Sequence, residues 1–308
     1  MSGNSENALL KGVSRSFYLS LRLLPAPMRR AASLGYLLAR SSDTLADTSG
    51  APVEARLLCL DWFERTVAGD EPAPRWPLPV LNAVGDPRER RLLEGTRELI
   101  ERLENLPAGE AELVREVVAV ITGGQRLDLE RFGHADEWNP VALRDDAELE
   151  DYTWRVAGCV GAFWTKLGFL TMGDGFSRGG RDVLLDDAAA YGKGLQLVNI
   201  LRDMPADLAC GRCYLPVADP DDPEALMAAR QPWIAKTRDW LGSGFRYSAC
   251  LGPRRLRVAS VLPARLAVAT LDRVERADWE NLRRRVRVPR WLVYQNLLAA
   301  FFVGGRPG

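Results

Sequence analysis

Apolar residues recur at three- and four-residue intervals through most of the chain, as in 90–106 and 111–122, and that period predicts amphipathic helices. Alternation with period two is nearly absent, as are Asn-Gly hairpin signals, so the pattern predicts an all-α protein. Glycine, proline and clustered turn formers interrupt the helical pattern at 69–79, 134–140, 173–180 and 217–223, and each break is expected to be a loop between helices. No long low-complexity linker or fixed-period repeat divides the chain, which predicts one helical domain over 1–308.

Two segments put polar groups where a core helix should be apolar. Tyr36, Arg40, Asp43 and Asp47 step by four, three and four, tracing a single helical face; Gln196, Asn199, Asp203 and Asp207 trace a second by three, four and four. One acidic pair at this spacing usually marks a solvated face. Like charges one turn apart repel, however, and this chain carries two such pairs, flanked by Tyr36-Leu-Leu-Ala39 and by the apolar run 195–201. A counter-ion is therefore expected, and two pairs facing each other would hold hard cations.

Composition narrows the chemistry. With 308 residues, 47% hydrophobic content and zero formal net charge, the chain can bury a large core and has no basic excess for nucleic acid. Cys59, Cys159, Cys210, Cys213 and Cys250 are odd in number and lack framework spacing, which fits a reducing cytosol. Cys210 and Cys213 form a lone C-x-x-C without the further ligands that zinc needs or the βαβ setting of a redox motif. His134, in a polar loop, is the only histidine, so metal chemistry must be oxygen-ligated, and carboxylates suit Mg²⁺ or Mn²⁺. The N-terminus lacks the regions of a signal peptide, and no stretch reads as a membrane span, so a soluble, cytoplasmic monomer is expected. The apolar run 291–303 could touch a membrane surface peripherally, although packing onto the domain is the simpler reading.

Between the stripes lies Tyr152-Thr-Trp-Arg-Val-Ala-Gly158-Cys-Val-Gly161. Glycine inside a helix costs about 1 kcal/mol relative to alanine, so Gly158 and Gly161 serve either close helix packing or room for a long apolar ligand. Pro205, inside the second stripe, predicts a kink or an end of the helix there, because its ring crowds the carbonyl of Leu201.

These segments together resemble the squalene and phytoene synthase family, the head-to-head trans-isoprenyl diphosphate synthases, over nearly the whole chain. Ser14-Arg-Ser-Phe17 with Leu24-Pro25 resembles the amino-terminal signature, and the Tyr36 to Asp47 stripe the first aspartate-rich helix. The Tyr152 segment resembles the family's Tyr-x-x-x-Val-Ala-Gly-x-Val-Gly. Gln196-Leu-Val-Asn-Ile-Leu-Arg-Asp203 with Gly211-Arg-Cys-Tyr-Leu-Pro216 resembles its second aspartate-rich region.

The resemblance implies a helical bundle of the isoprenoid synthase type around a central apolar cavity. It implies Mg²⁺ held by Asp43, Asp47, Asp203 and Asp207, and farnesyl diphosphate as substrate. Arg40 and Arg202 would stabilise the leaving diphosphate, and Ser14, Arg15, Phe17, Tyr36, Gln196, Asn199 and Tyr214 would line or close its site. Tyr152 is the candidate for assisting the proton transfer that closes the cyclopropane of presqualene diphosphate.

Local resemblance favours squalene as product. Asp43-Thr-Leu-Ala-Asp-Thr is similar to the squalene-type Asp-Thr-x-x-Asp, and Leu262-Pro-Ala-Arg-Leu-Ala-Val-Ala-Thr-Leu271 to the squalene-type Pro-x-x-x-Ala-x-Ala-Thr-Leu. Squalene requires NADPH, whose phosphates the basic stretch 283–290 could meet through Arg287 and Arg290, Arg287 matching a cofactor-contacting lysine of eukaryotic relatives. No G-x-G-x-x-G fingerprint is present, so no Rossmann domain supplies the hydride. The alternatives are a dehydrosqualene, phytoene or presqualene diphosphate synthase that works without NADPH, and a non-catalytic scaffold relative. The scaffold reading sits poorly with four retained aspartates.

Overall fold

A computed structural model describes residues 21–287. Among these, twelve α-helices account for nearly all the regular structure, as the periodicity predicts. Each of the four predicted breaks falls between helices. The run 90–106, which reads as one helix, is two: α4 (Pro87–Glu94) and α5 (Thr96–Glu104), parted at Gly95.

The described chain gathers into two compact units: one through Gly133 together with Lys166–Met172, the other from His134–Thr165 and from Gly173 onward. In the first, α1 (Ala26–Asp47) and α2 (Val53–Ala68) pack on the long α6 (Ala108–Phe132), and α3 (Leu78–Ala83), α4 and α5 complete it. Leu34, Leu37, Leu38 and Leu45 bury one side of α1, with Phe63 and Leu60 from α2 and Val114 and Val118 from α6. Ser41, Thr44 and Thr48 are buried beside them because each hydroxyl donates to the carbonyl one turn back, so no polar group is orphaned.

The second unit is built on α9 (Arg181–Leu208), which packs against α10 (Pro223–Cys250) and α11 (Arg254–Arg276), with the short α12 (Trp279–Arg283) following. It also holds α7 (Asp146–Thr153) and a parallel ribbon of β1 (Val141–Ala142) and β2 (Arg212–Cys213), too short to leave an alternating pattern in the sequence. From α7 the chain passes through a π-helical turn, Trp154–Gly158, into α8 (Cys159–Met172).

The helical stretch Asp146–Gly175 is long and apolar enough to cross a membrane by length and composition, which corrects the reading that no such stretch exists. Of its apolar window 33% is buried, and Trp154 and Leu170 are its exposed large apolar side chains.

Candidate active site

The first stripe lies on α1. Tyr36, Arg40 and Asp43 are half-buried and Asp47 is exposed at the helix end. Arg56, from α2, is buried and donates from Nη1 to the carbonyl of Ala46 at 2.8 Å, capping the turn that carries Asp47. Arg40 spans two carboxylates, with Nη1 on Asp43 Oδ2 and Nη2 on Glu89 Oε1 of α4. Burial works against the charge on Arg40, but Asp43 and Glu89 outweigh it and the guanidinium's pKa rises. Burial, and then the charge of Asp47, push the Asp43 carboxyl up to about 6 in spite of Arg40. Two aspartates one turn apart thus strain each other electrostatically even with an arginine in place. Glu89 belongs to no motif, and sequence reasoning did not find it.

The second stripe lies on α9, in the other unit. The helix does not end at Pro205 but runs to Leu208, so of the expected kink or end the end does not occur. Only one turn follows the proline, and its carbonyls are taken up by Ala209, Cys210 and Gly211, so losing one donor is tolerable and Asp207 stays one turn beyond Asp203. Arg202 grips Asp203 with two donors, Nε to Oδ1 at 2.9 Å and Nη2 to Oδ2. That hydrogen bonding, with the charges of Asp203 and Asp207, raises the pKa of Arg202 against its burial. Asn199 Nδ2 points to Gln196 Oε1 at 3.5 Å, so the amides share a face as the spacing predicts. Each stripe therefore repeats one arrangement, an arginine neutralising the first aspartate of a pair.

Tyr152 and Tyr214 come together from distant sequence. Their buried rings stack with centroids 4.6 Å apart. Tyr214 directly follows β2, whose pairing with β1 is anchored by Val141 N to Gly211 O at 2.9 Å and Leu143 N to Cys213 O at 3.0 Å. Gly211 makes the turn into β2 with φ +78, and a Cβ there would fall 2.4 Å from the backbone nitrogen of Asp136. Only glycine fits, which explains its place before Arg212-Cys-Tyr-Leu-Pro.

The π-helical turn starts two residues after Tyr152, and such turns are concentrated at functional sites. The glycines in and around it serve packing: a Cβ on Gly161 of α8 would lie 2.1 Å from the Ala188 carbonyl oxygen, one on Gly158 3.3 Å from that of Ala189, and one on Gly192 of α9 2.4 Å from that of Ala157.

Arg287 is exposed on the coil after α12, and no other predicted site residue contacts it in the described interactions. Ser14, Arg15, Phe17 and Arg290, with the run 291–303, lie outside the described residues. Cys210 is exposed and Cys213 buried, both free; burial pushes the Cys213 thiol up to about 11, the opposite of a reactive or metal-binding thiolate.

Among the described residues no three His, Cys, Asp or Glu side chains converge to hold a metal by themselves. The donor set fits a hard cation of another kind, one that takes one or two carboxylates and completes its shell with water and phosphate oxygens. The crowded charge at Asp43 supports that fit.

Comparison with known proteins follows the same motifs. The family model described as squalene/phytoene synthase matches residues 10–292. The presqualene diphosphate synthase of Zymomonas mobilis is 28% identical over 93% of this chain and 89% of its own length. The 15-cis-phytoene synthase of Synechocystis sp. is 30% identical over 67% of this chain, a match spanning 53% of that protein. The solved complex of TcSQS with the ligand BPH1237 has the same all-α fold, with a TM-score of 0.79 at 23% identity over 97% of this chain and 86% of that one. The chain belongs to the squalene/phytoene synthase family.

Proposed function

We propose that this protein joins two molecules of farnesyl diphosphate head to head, with Mg²⁺ or Mn²⁺, to give presqualene diphosphate. The observation that carries the reading is the duplicated stripe, two aspartates one turn apart with an arginine on the first, in a chain that the family model matches from end to end of both.

In this reading the chain works as a single catalytic domain, Asp43, Asp47, Asp203 and Asp207 being the cation ligands. Bound Mg²⁺ supplies charge neutralisation as the C–O bond breaks. Arg40 and Arg202 stay charged and share in holding the departing diphosphate, with Tyr36, Gln196 and Asn199 along the same faces. The allylic cation must be kept from water, which would quench it to an alcohol. The stacked rings of Tyr152 and Tyr214 offer π faces to a cation, and the Tyr152 hydroxyl is the group for the proton loss that closes the cyclopropane. Likeness to the Zymomonas protein over most of both chains supports presqualene diphosphate as the product.

Squalene, with NADPH met by Arg287 and Arg290, is the second reading; it rests on Asp43-Thr-Leu-Ala-Asp-Thr and on the Leu262 to Leu271 segment. The latter lies on α11, with Ala264, Ala267 and Leu271 buried. Incubation with farnesyl diphosphate and Mg²⁺, with and without NADPH, separates the two by product mass. Presqualene diphosphate under both conditions supports the proposal, and squalene formed only with NADPH supports the second. Phytoene from the C20 diphosphate alone overturns both.

A further inference from the structure

Glu89 lies outside the four sequence motifs named above, yet it is tied into the first stripe. It sits in the first turn of α4, whose start is fixed by the Asp86 side chain accepting from Arg88 N at 2.8 Å. Its carboxylate, 22% exposed against 39% for Asp43, holds Arg40 Nη2 while Arg40 Nη1 holds Asp43. The third guanidinium donor, Arg40 Nε, is buried with no hydrogen-bond partner. A guanidinium presents its donors in a rigid fork, so fixing one end fixes where the others point.

A divalent cation approaching Asp43 and Asp47 therefore meets a cation already seated on Asp43. One of the two must give way, or the carboxylate must be shared. Resting on the reading of this stripe as the cation site, we propose that Glu89 is a positioning residue: it retains Arg40 by Nη2 when the metal takes Asp43, which releases Nη1 for the diphosphate. Without the Glu89 carboxylate, Arg40 has Asp43 as its sole partner among these contacts and competes harder with the metal. The site also loses one negative charge. Both effects weaken cation binding, and the first leaves Arg40 worse placed for an anionic ligand.

The test uses Mn²⁺ as probe, measured on the full chain by the electron paramagnetic resonance of the free ion, with inorganic pyrophosphate affinity in Mg²⁺ as a second readout. Glu89→Gln is expected to raise the Mn²⁺ dissociation constant and the pyrophosphate dissociation constant each about fivefold, a partly exposed ion pair's worth, with Glu89→Asp restoring most of both. In an Arg40→Gln background, Glu89→Gln should no longer change pyrophosphate affinity. Wild-type binding of Mn²⁺ and pyrophosphate that is unchanged in Glu89→Gln overturns the role of Glu89 alone. A wild type that binds neither overturns the reading of the stripe and the inference with it. If Glu89→Gln does not fold, Glu89→Ala takes its place, with the same losses expected and wild-type affinity for Mn²⁺ and pyrophosphate overturning the proposal.

Discussion

Gly161→Ala separates two readings of the small residues in the Tyr152 segment, close packing and room for a ligand. The added Cβ would lie 2.1 Å from the Ala188 carbonyl oxygen and 2.7 Å from its carbon. Carbon–oxygen contacts ordinarily begin near ~3.3 Å, so the start of α8 and α9 must separate by about 1 Å. The obstacle is backbone, and α9 is wedged on its other side: a Cβ on Gly194 would meet Trp240 at 3.0 Å, and one on Gly244 would meet the Tyr191 ring at 2.5 Å. Overpacking of a rigid contact costs about 1–3 kcal/mol or somewhat more, and the alanine returns about 1 kcal/mol in helix propensity. A net loss of up to about 2 kcal/mol follows, which for 308 residues at ~2.1 cal/mol/K each lowers Tm by roughly 3 °C. Urea and thermal unfolding of the purified protein measure it, with Gly175→Ala as the control because nothing lies within 4 Å of a Cβ there. Unfolding of Gly161→Ala at the wild-type midpoint would refute the packing argument and return the glycines to a ligand-binding role.

Three further outcomes are expected. Asp43 has a folded pKa of about 6 against 3.8, so between these values the folded state holds more protons than the unfolded one, and metal-free stability falls as pH rises through that window. Asp43→Asn should remove this slope, worth about 1–2 kcal/mol once its 39% exposure is allowed for, as read from urea midpoints at pH 4 to 7. Asp203→Asn should stop pyrophosphate release from farnesyl diphosphate while the fold is kept; turnover retained at saturating Mg²⁺ would count against the second stripe. Arg230, 3% exposed, donates to the carbonyls of Val274 and Ala277 at 2.8 Å each and so closes the end of α11. Arg230→Ala leaves the Ala277 carbonyl without this donor and the Val274 carbonyl with only the Ala277 N–H, and should cost about 2 kcal/mol in chemical denaturation.

The helices were legible because their apolar period is long and repeated, and the stripes because polar residues at that same period contradict it. Departures came where one residue changes the geometry. Gly95 divides a run whose apolar pattern continues across it, and the π-helical turn needs only one residue more than an α-turn, too little to disturb the period. Pro205 does not end α9 because the cost of a helix-breaking residue depends on how much helix follows it, and here one turn does. Glu89 could not be found by spacing, since its link to Arg40 exists only once α4 is laid beside α1. The stacking of Tyr152 on Tyr214 was out of reach for the same reason, although both residues stood out through their motifs.

The balance of diphosphate tests the central claim most directly. Purified protein is given farnesyl diphosphate and Mg²⁺ without a reductant, and released pyrophosphate is counted against substrate consumed and product mass. The account predicts one pyrophosphate for every two farnesyl diphosphates, a C30 product that keeps the other diphosphate, and no reaction after chelation of the metal. Farnesol with one pyrophosphate per substrate, or no consumption at saturating Mg²⁺, would contradict it.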